Sequence, residues 1–311
     1  MSLLALYDVP APAKLNLFLH VVGRRADGYH LLQSVFLLID WCDWLHFEHR
    51  ADGRLQRHDL GPALPADDLS LRAARALQQA SGCRWGADLS VDKRLPWGAG
   101  LGGGSSDAAS TLLALNRLWG LHWPRDRLQA IALTLGADVP FFVGGRNAFV
   151  EGIGECLTPL PPLALPRQDY AVVKPAPAIA TATIFGSPCL VRDTEAVIVM
   201  SFLADAQSIE TWRSKLEAGY GRNDLQPPAE ASCSEVSAVA SWLAARFGNS
   251  RMSGSGSAVF ARVDRESGLT GTGDPPGATD RAVALDQALP PGWVGRMCRS
   301  LDHHPLVAWA G

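Results

Sequence analysis

Hydrophobic and polar residues alternate with period two over residues 14–21, with Leu15, Leu17, Leu19 and Val21 at one parity and Lys14, Asn16, Phe18 and His20 at the other. That spacing predicts a strand and puts Lys14 and Asn16 on one face. A lysine on a strand is ordinarily a surface residue, but this one shares its face with Phe18, which predicts a polar pair at the rim of a partly buried surface. Alternating or continuous apolar runs predict further strands over 34–39, 87–93, 170–175 and 293–297. Apolar residues at helical spacing predict helices over 69–80, 108–119, 124–135 and 281–289, a helix ending at 242–247, and a short helix or turn over 181–185. Asp67 or Asp68 caps the first of these, and Ser81-Gly82 stops it. Small residues at 251–261 read as a loop running into a strand, and the Gly-, Thr- and Pro-rich stretch 268–280 as a mobile surface loop. The irregular alternation of strands and helices predicts an α+β fold rather than a doubly wound sheet.

Composition sets limits on this picture. A chain of 311 residues, 47% hydrophobic and 19% charged, is long enough for two domains, and the proline-rich stretch 157–166 marks the boundary between residues 1–160 and 161–311. The net charge of -3 and the lack of a basic block argue against nucleic acid as a partner. No apolar run reaches the ~18–20 residues that span a bilayer, and the first residues do not read as a leader, so a cytoplasmic protein without membrane contact is expected. Six cysteines are scattered without a Cys-x-x-Cys pair and are expected to be reduced and mostly buried. The eight histidines lack metal-ligand spacing, so no metal-binding residues are expected.

The candidate chemistry centres on Lys93-Arg94-Leu95-Pro96-Trp97-Gly98-Ala99-Gly100-Leu101-Gly102-Gly103-Gly104-Ser105-Ser106-Asp107. Glycines let successive backbone N–H groups turn inward and approach an anion, and Gly103 within the run is expected at φ > 0. The unpaired N–H groups and the dipole of a following helix attract the same charge. A flexible surface loop is the plainer alternative, but the strand before the run and the helix after it favour phosphate. A Walker loop would need Lys-Ser or Lys-Thr after its last glycine, and the glycine spacing also fits a dinucleotide fingerprint poorly. Elsewhere, the turn at 23–30 ends in Tyr29 and His30, two rings that either pack at a strand start or contact a ligand. Asp138 either caps the helical turn containing Pro140 or, as an acid among apolar neighbours, has a catalytic task.

Together, the glycine run, Ala-Lys-Leu-Asn-Leu-Phe-Leu at 13–19, Ala-Asp-Gly-Tyr-His at 26–30, Leu-Gly-Ala-Asp-Val-Pro at 135–140 and Ser-Gly-Ser-Gly at 253–256 resemble the GHMP small-molecule kinases. The segments around Lys14, Tyr29-His30 and Asp138 resemble the branch that phosphorylates a cytidyl diphosphate sugar alcohol in isoprenoid precursor biosynthesis. The resemblance implies a two-domain α+β GHMP kinase fold, with a ribosomal-protein-like, ATP-binding N-terminal domain and a ferredoxin-like, substrate-binding C-terminal domain. It implies that ATP, the co-substrate, lies on Pro96, Trp97, Gly98, Ala99, Gly100, Leu101, Gly102, Gly103, Gly104, Ser105 and Ser106. Lys14 and Asp138 are then the catalytic pair, and Asn16, Tyr29, His30, Thr181 and Phe185 bind the small-molecule substrate, with its cytosine stacked by Tyr29 and Phe185. Mg²⁺ is expected on the phosphates without a dedicated cage, and the chain is expected to be a monomer or weak homodimer. Two positions depart from the pattern: Asp68, where asparagine is expected near the adenine, and Asp107, where some relatives carry asparagine. A GHMP kinase for another alcohol, such as homoserine, mevalonate or galactose, and a catalytically silent nucleotide-binding protein are the alternatives.

Overall fold

Two long strands, β1 (Ala5–Arg24) and β2 (His30–Arg50), pair antiparallel along most of their lengths and form the spine of a six-stranded sheet. The structure, a computed structural model, describes residues 3–165, 167–198, 205–263, 285 and 287–310. β2 continues the sheet through β4 (Gly86–Asp92) and the parallel edge strand β3 (Leu55–Asp59), and through β5 (Ala148–Glu151) and β6 (Cys156–Pro159). A second, four-stranded antiparallel sheet has the order β10 (Val294–Arg299), β7 (Asp169–Lys174), β9 (Val259–Val263), β8 (Arg251–Met252).

Both faces of β2 are buried. Phe36 and Leu38 point into a core with Leu112 and Leu113 of α2 (Gly103–Leu118) and with Phe141 and Phe142 of α4 (Val139–Gly144). Val35, Leu37 and Ile39 point the other way, to Tyr170, Val172 and Phe260 of the second sheet. A strand covered on both sides reads as a continuous apolar run, which is how residues 34–39 read in the sequence. α1 (Leu69–Ser81) and α3 (Arg125–Leu135) complete the helical layer of the first sheet. On the second sheet, α8 (Ser234–Phe247) packs Val236, Val239 and Leu243 against Ala171, Val173 and Met252. The shorter helices α5 (Thr181–Phe185), α6 (Ala206–Glu217) and α7 (Gln226–Ser232) lie between β7 and α8 in the chain. The α+β expectation holds.

Several details differ from the sequence reading. Between Asn16 and Leu19 two residues of β1 face the single Val35 of β2, a bulge that shifts the alternation by one. Phe18 therefore joins Leu15 and Leu17 in the core between the sheets, and Leu19 takes the place beside Lys14 and Asn16 that parity had given to Phe18. α2 starts at Gly103, five residues ahead of the predicted 108, and the last strand covers Val294–Arg299 rather than 293–297. Of the six cysteines, Cys42 and Cys298 are buried, and Cys156 and Cys189 are exposed. No helix among the described residues is long and apolar enough to cross a membrane. The 268–280 loop and most of the 281–289 helix lie outside the described residues.

The C-terminal segment is tied to the back of α4. Arg125 donates from Nη1 to the carbonyls of Val143 and Gly144, and from Nη2 to those of Val307 and Ala310. His304 lies fully buried beside this clamp, and its N–H donates to Gly145 O at 2.9 Å.

Candidate functional site

The loop that leaves β4 makes left-handed turns at Gly98, Gly100 and Gly102, with φ of +61°, +72° and +74°. Gly100 could not carry a side chain in any case, because a Cβ there would sit 2.2 Å from the Ser253 carbonyl oxygen. Gly102 is the N-cap of α2 and offers no side-chain acceptor, so the N–H groups that open the helix stay available to an anion. Gly103 belongs to the helix and lacks the positive φ expected of it. Residues 96–105 line a cavity of about 430 Å³ together with Lys93, Asp68 and Asp107. Ser106, expected with them, turns its hydroxyl away and donates to Pro12 O at 2.7 Å. Asp68 caps α1, accepting from Ser70 N and Leu71 N, and Arg57 Nη1 lies 2.7 Å from its Oδ1. The extra negative charge that the sequence put near the nucleotide therefore has an arginine partner.

A second cavity of about 310 Å³ adjoins the first, and Gly98, Gly100 and Gly102 line both. Lys14, Asn16, Ser34, Asp138, Thr181 and Phe185 are among its walls. Lys14 Nζ donates to Asn16 Oδ1 at 2.6 Å and to Gly100 O at 3.0 Å, lies 3.9 Å from Asp138 Oδ2, and stands over the Phe36 ring. Burial lowers the Lys14 pKa, and the Asp138 charge opposes that shift. Asp138 precedes α4 with φ -82° and ψ -17°, and its side chain makes no capping hydrogen bond. An N-cap normally has extended backbone angles that aim its side chain at the helix N–H groups, so the capping alternative fails and the carboxylate is left facing Lys14. α4 is placed by burial of Phe141 and Phe142, and the Phe142 ring fills the space beside Gly102, where a Cβ would meet it at 2.9 Å. One aromatic contact thus fixes the acid relative to the loop.

The polar network extends to residues that sequence reasoning left out. Asn16 Nδ2 donates to Ser34 Oγ at 2.9 Å, Asn16 N to Ser253 Oγ at 3.2 Å, and Ser253 Oγ to Gly100 O at 3.1 Å. Ser253 stands in the Ser-Gly-Ser-Gly stretch, so its motif was visible; Ser34 had no sequence signal beyond its place at the start of a strand. Thr181 Oγ1 and Ser255 Oγ are 2.9 Å apart at the cavity wall.

The aromatic residues are arranged differently from the expectation. Phe185 lines the second cavity and stacks on His30, with centroids 5.0 Å apart and planes at 26°; neither His30 nor Tyr29 lines either cavity, and Tyr29 is 59% exposed. The turn around Arg25–Tyr29 points the tyrosine outward, with Tyr29 N bonded to Asp27 Oδ1 and Arg25 N to Tyr29 O. Arg192, also unforeseen, donates from Nε to His30 Nε2 at 3.1 Å. Burial and the charges of Arg192 and Arg24 lower the His30 pKa, so the ring is a neutral acceptor there. Among the described residues no group of three or more His, Cys, Asp or Glu side chains is placed to hold a metal ion.

Residues 68–146 match the family description "GHMP kinases N terminal domain", and residues 202–269 match "GHMP kinases C terminal". The chain is 63% identical over 313 residues to a 4-diphosphocytidyl-2-C-methyl-D-erythritol kinase of Methylibium petroleiphilum, covering 100% of both chains. It is 56% identical to the kinase of the same name from Verminephrobacter eiseniae, covering 98% of each. A crystal structure of 4-(cytidine 5'-diphospho)-2C-methyl-D-erythritol kinase matches with a TM-score of 0.72 and 34% identity, over 93% of this chain and 98% of that one. A homoserine kinase from Cytophaga hutchinsonii, at 15% identity and a TM-score of 0.66 over 97% and 95% of the two chains, shares the fold.

Proposed function

The chain belongs to the GHMP kinases, and within them to the 4-diphosphocytidyl-2-C-methyl-D-erythritol kinases, and from that premise we infer that it transfers the γ-phosphoryl group of ATP to a hydroxyl of 4-diphosphocytidyl-2-C-methyl-D-erythritol. The products are the 2-phosphate and ADP. The observation that carries this reading is the junction of the two cavities at Gly98, Gly100 and Gly102, with Lys14 and Asp138 on its acceptor side. A nucleotide with its phosphates along the loop ends its phosphate chain at that junction, where an alcohol in the second cavity meets it.

Phosphoryl transfer asks for in-line positioning and charge stabilisation more than for covalent help. The backbone N–H groups at the start of α2 hold the phosphates, and Asp138 takes the proton of the attacking hydroxyl. Lys14, buried and 3.9 Å from Asp138, offsets the charge that develops on the transferred group. Asn16 and Thr181 orient the acceptor, and Phe185 on His30 is the platform for its cytosine. Mg²⁺, expected with ATP, would be held by the phosphates without a cage of protein side chains and would neutralise their charge. Residues 1–160 form the unit that holds ATP, and residues 161–311 add Thr181, Phe185 and Gly254 to the acceptor cavity.

An ADP-release assay with the cytidyl substrate, mevalonate and homoserine in parallel tests the reading. Turnover with the cytidyl substrate alone is expected. Preference for either of the others would move the chain to another acceptor, and no release with any of them would leave a silent nucleotide-binding protein.

A further inference from the structure

Two acids and one base are buried together beneath the phosphate-holding loop. The Lys93 ammonium follows the end of β4 and lies between Asp107 of α2, whose Oδ2 accepts from it at 2.5 Å, and Asp43 of β2, whose Oδ2 also accepts from it. The side chains of Lys93, Asp43 and Asp107 are 10%, 0% and 3% exposed. Fully ionised, the trio would hold an uncompensated negative charge in the wall of the cavity that receives a polyphosphate. An unbalanced charge taken out of water is strongly disfavoured, and the charge on ATP adds to that cost.

The hydrogen bonds show where a compensating proton belongs. Asp43 accepts three hydrogen bonds, from Arg94 N and Leu95 N on Oδ1, both at 2.6 Å, and from Lys93 on Oδ2, and its carboxylate also lies against that of Asp107. Asp107 Oδ1, by contrast, is buried with no partner. A carboxylate oxygen without donors and without water favours the neutral acid. Burial lifts the Asp107 carboxyl to about 8 against the pull of the Lys93 ammonium, and the Asp43 charge adds to the lift. Burial works against the charge on Lys93, but Asp107 and Asp43 outweigh it and raise the Lys93 pKa. The charged groups that act most strongly on Asp107 are Lys93 at the end of β4 and Asp43 of β2.

We propose that Asp107 stands in the nucleotide cavity as the neutral acid, and that ATP binding takes up its proton wherever the free site has lost it. The inference rests on the kinase reading of the cavity.

Calorimetric titration of ATP into the native protein, in two buffers of different protonation enthalpy, counts the protons exchanged. At about pH 9, where free Asp107 is mostly ionised and ATP itself no longer titrates, uptake approaching one proton per ATP is expected, falling toward none at about pH 7. The Kd for ATP should then weaken by up to about tenfold per pH unit above about pH 8. Asp107→Asn, which cannot ionise, should remove both the uptake and the pH dependence. ATP binding at about pH 9 with no proton taken up overturns the inference and leaves the kinase reading standing, and the native protein alone decides this even if the variant fails to fold. An Asp107→Asn protein that still takes up the proton places it elsewhere and also overturns the inference. Failure of ATP to bind at any pH would overturn both.

Discussion

Asp138 was ambiguous in the sequence because a cap and a catalytic acid use the same residue type beside the same proline. Its helical φ and ψ separate the two, and dihedral angles are not written in composition. Lys14 and Asn16 were legible because period two survives as far as Asn16. Phe18, just past the bulge, was misplaced for the reason that an inserted residue leaves no mark on alternation. The aromatic pair proposed to hold the cytosine was half legible: Phe185 and His30 were both singled out in the sequence, but the stacking of one on the other joins residues far apart in the chain, and the outward turn of Tyr29 depends on Asp27. These positions make a prediction about KM. Base stacking on an aromatic ring is worth roughly 1–3 kcal/mol, so Phe185→Ala should raise the KM for the cytidyl substrate by roughly tenfold or more while leaving the KM for ATP in place. Tyr29→Ala should change either value little. A rise in the ATP KM in the Phe185 variant would mean that the ring serves the other cavity.

At the scale of elements, the glycine loop and the helices at 69–80 and 124–135 followed directly from glycine chemistry and apolar spacing. The start of α2 did not, since Gly103 and Gly104 have no helical signal of their own and are helical because Gly102 makes the turn before them. The C-terminal segment was also opaque. Its role lies in the Arg125 clamp, whose carbonyl partners come from backbone at residues 143, 144, 307 and 310 and carry no sequence signature. Inside this clamp, burial and the charges of Arg125 and His303 push the His304 pKa from 6.5 down to about 3. His304 Nδ1 accepts from Leu306 N at 3.0 Å, and the ring is neutral in the folded protein. The unfolded chain gains the proton near 6.5 and the folded chain only near 3, so folding stability falls as pH drops through that interval. The contribution of this one residue is roughly 1.4 kcal/mol per pH unit across it. Denaturant unfolding at several pH values should show that slope, and His304→Gln should lose one proton's worth of it. An unchanged slope in the variant would mean that His304 is protonated in the fold.

At the scale of the whole molecule, two sheets pack face to face through Val35 and Leu37 of one and Val172 and Phe260 of the other, and helices cover the far side of the first. This arrangement brings the Ser-Gly-Ser-Gly loop after β8 against the glycine loop after β4, with Ser253 bonded to Gly100 and Asn16. The α+β class was readable from the alternation of elements, whereas the meeting of the two loops was not, because period and spacing describe one segment at a time. The central claim is that this junction is a reacting centre whose base is Asp138. It is tested most directly by single-turnover phosphoryl transfer from ATP to the cytidyl substrate, both saturating, in the native protein and in Asp138→Asn. Asparagine keeps the shape of the side chain and cannot accept the proton, so the rate should fall by at least about 10²-fold while both substrates still bind. A variant that transfers the phosphoryl group at close to the native rate would contradict the account.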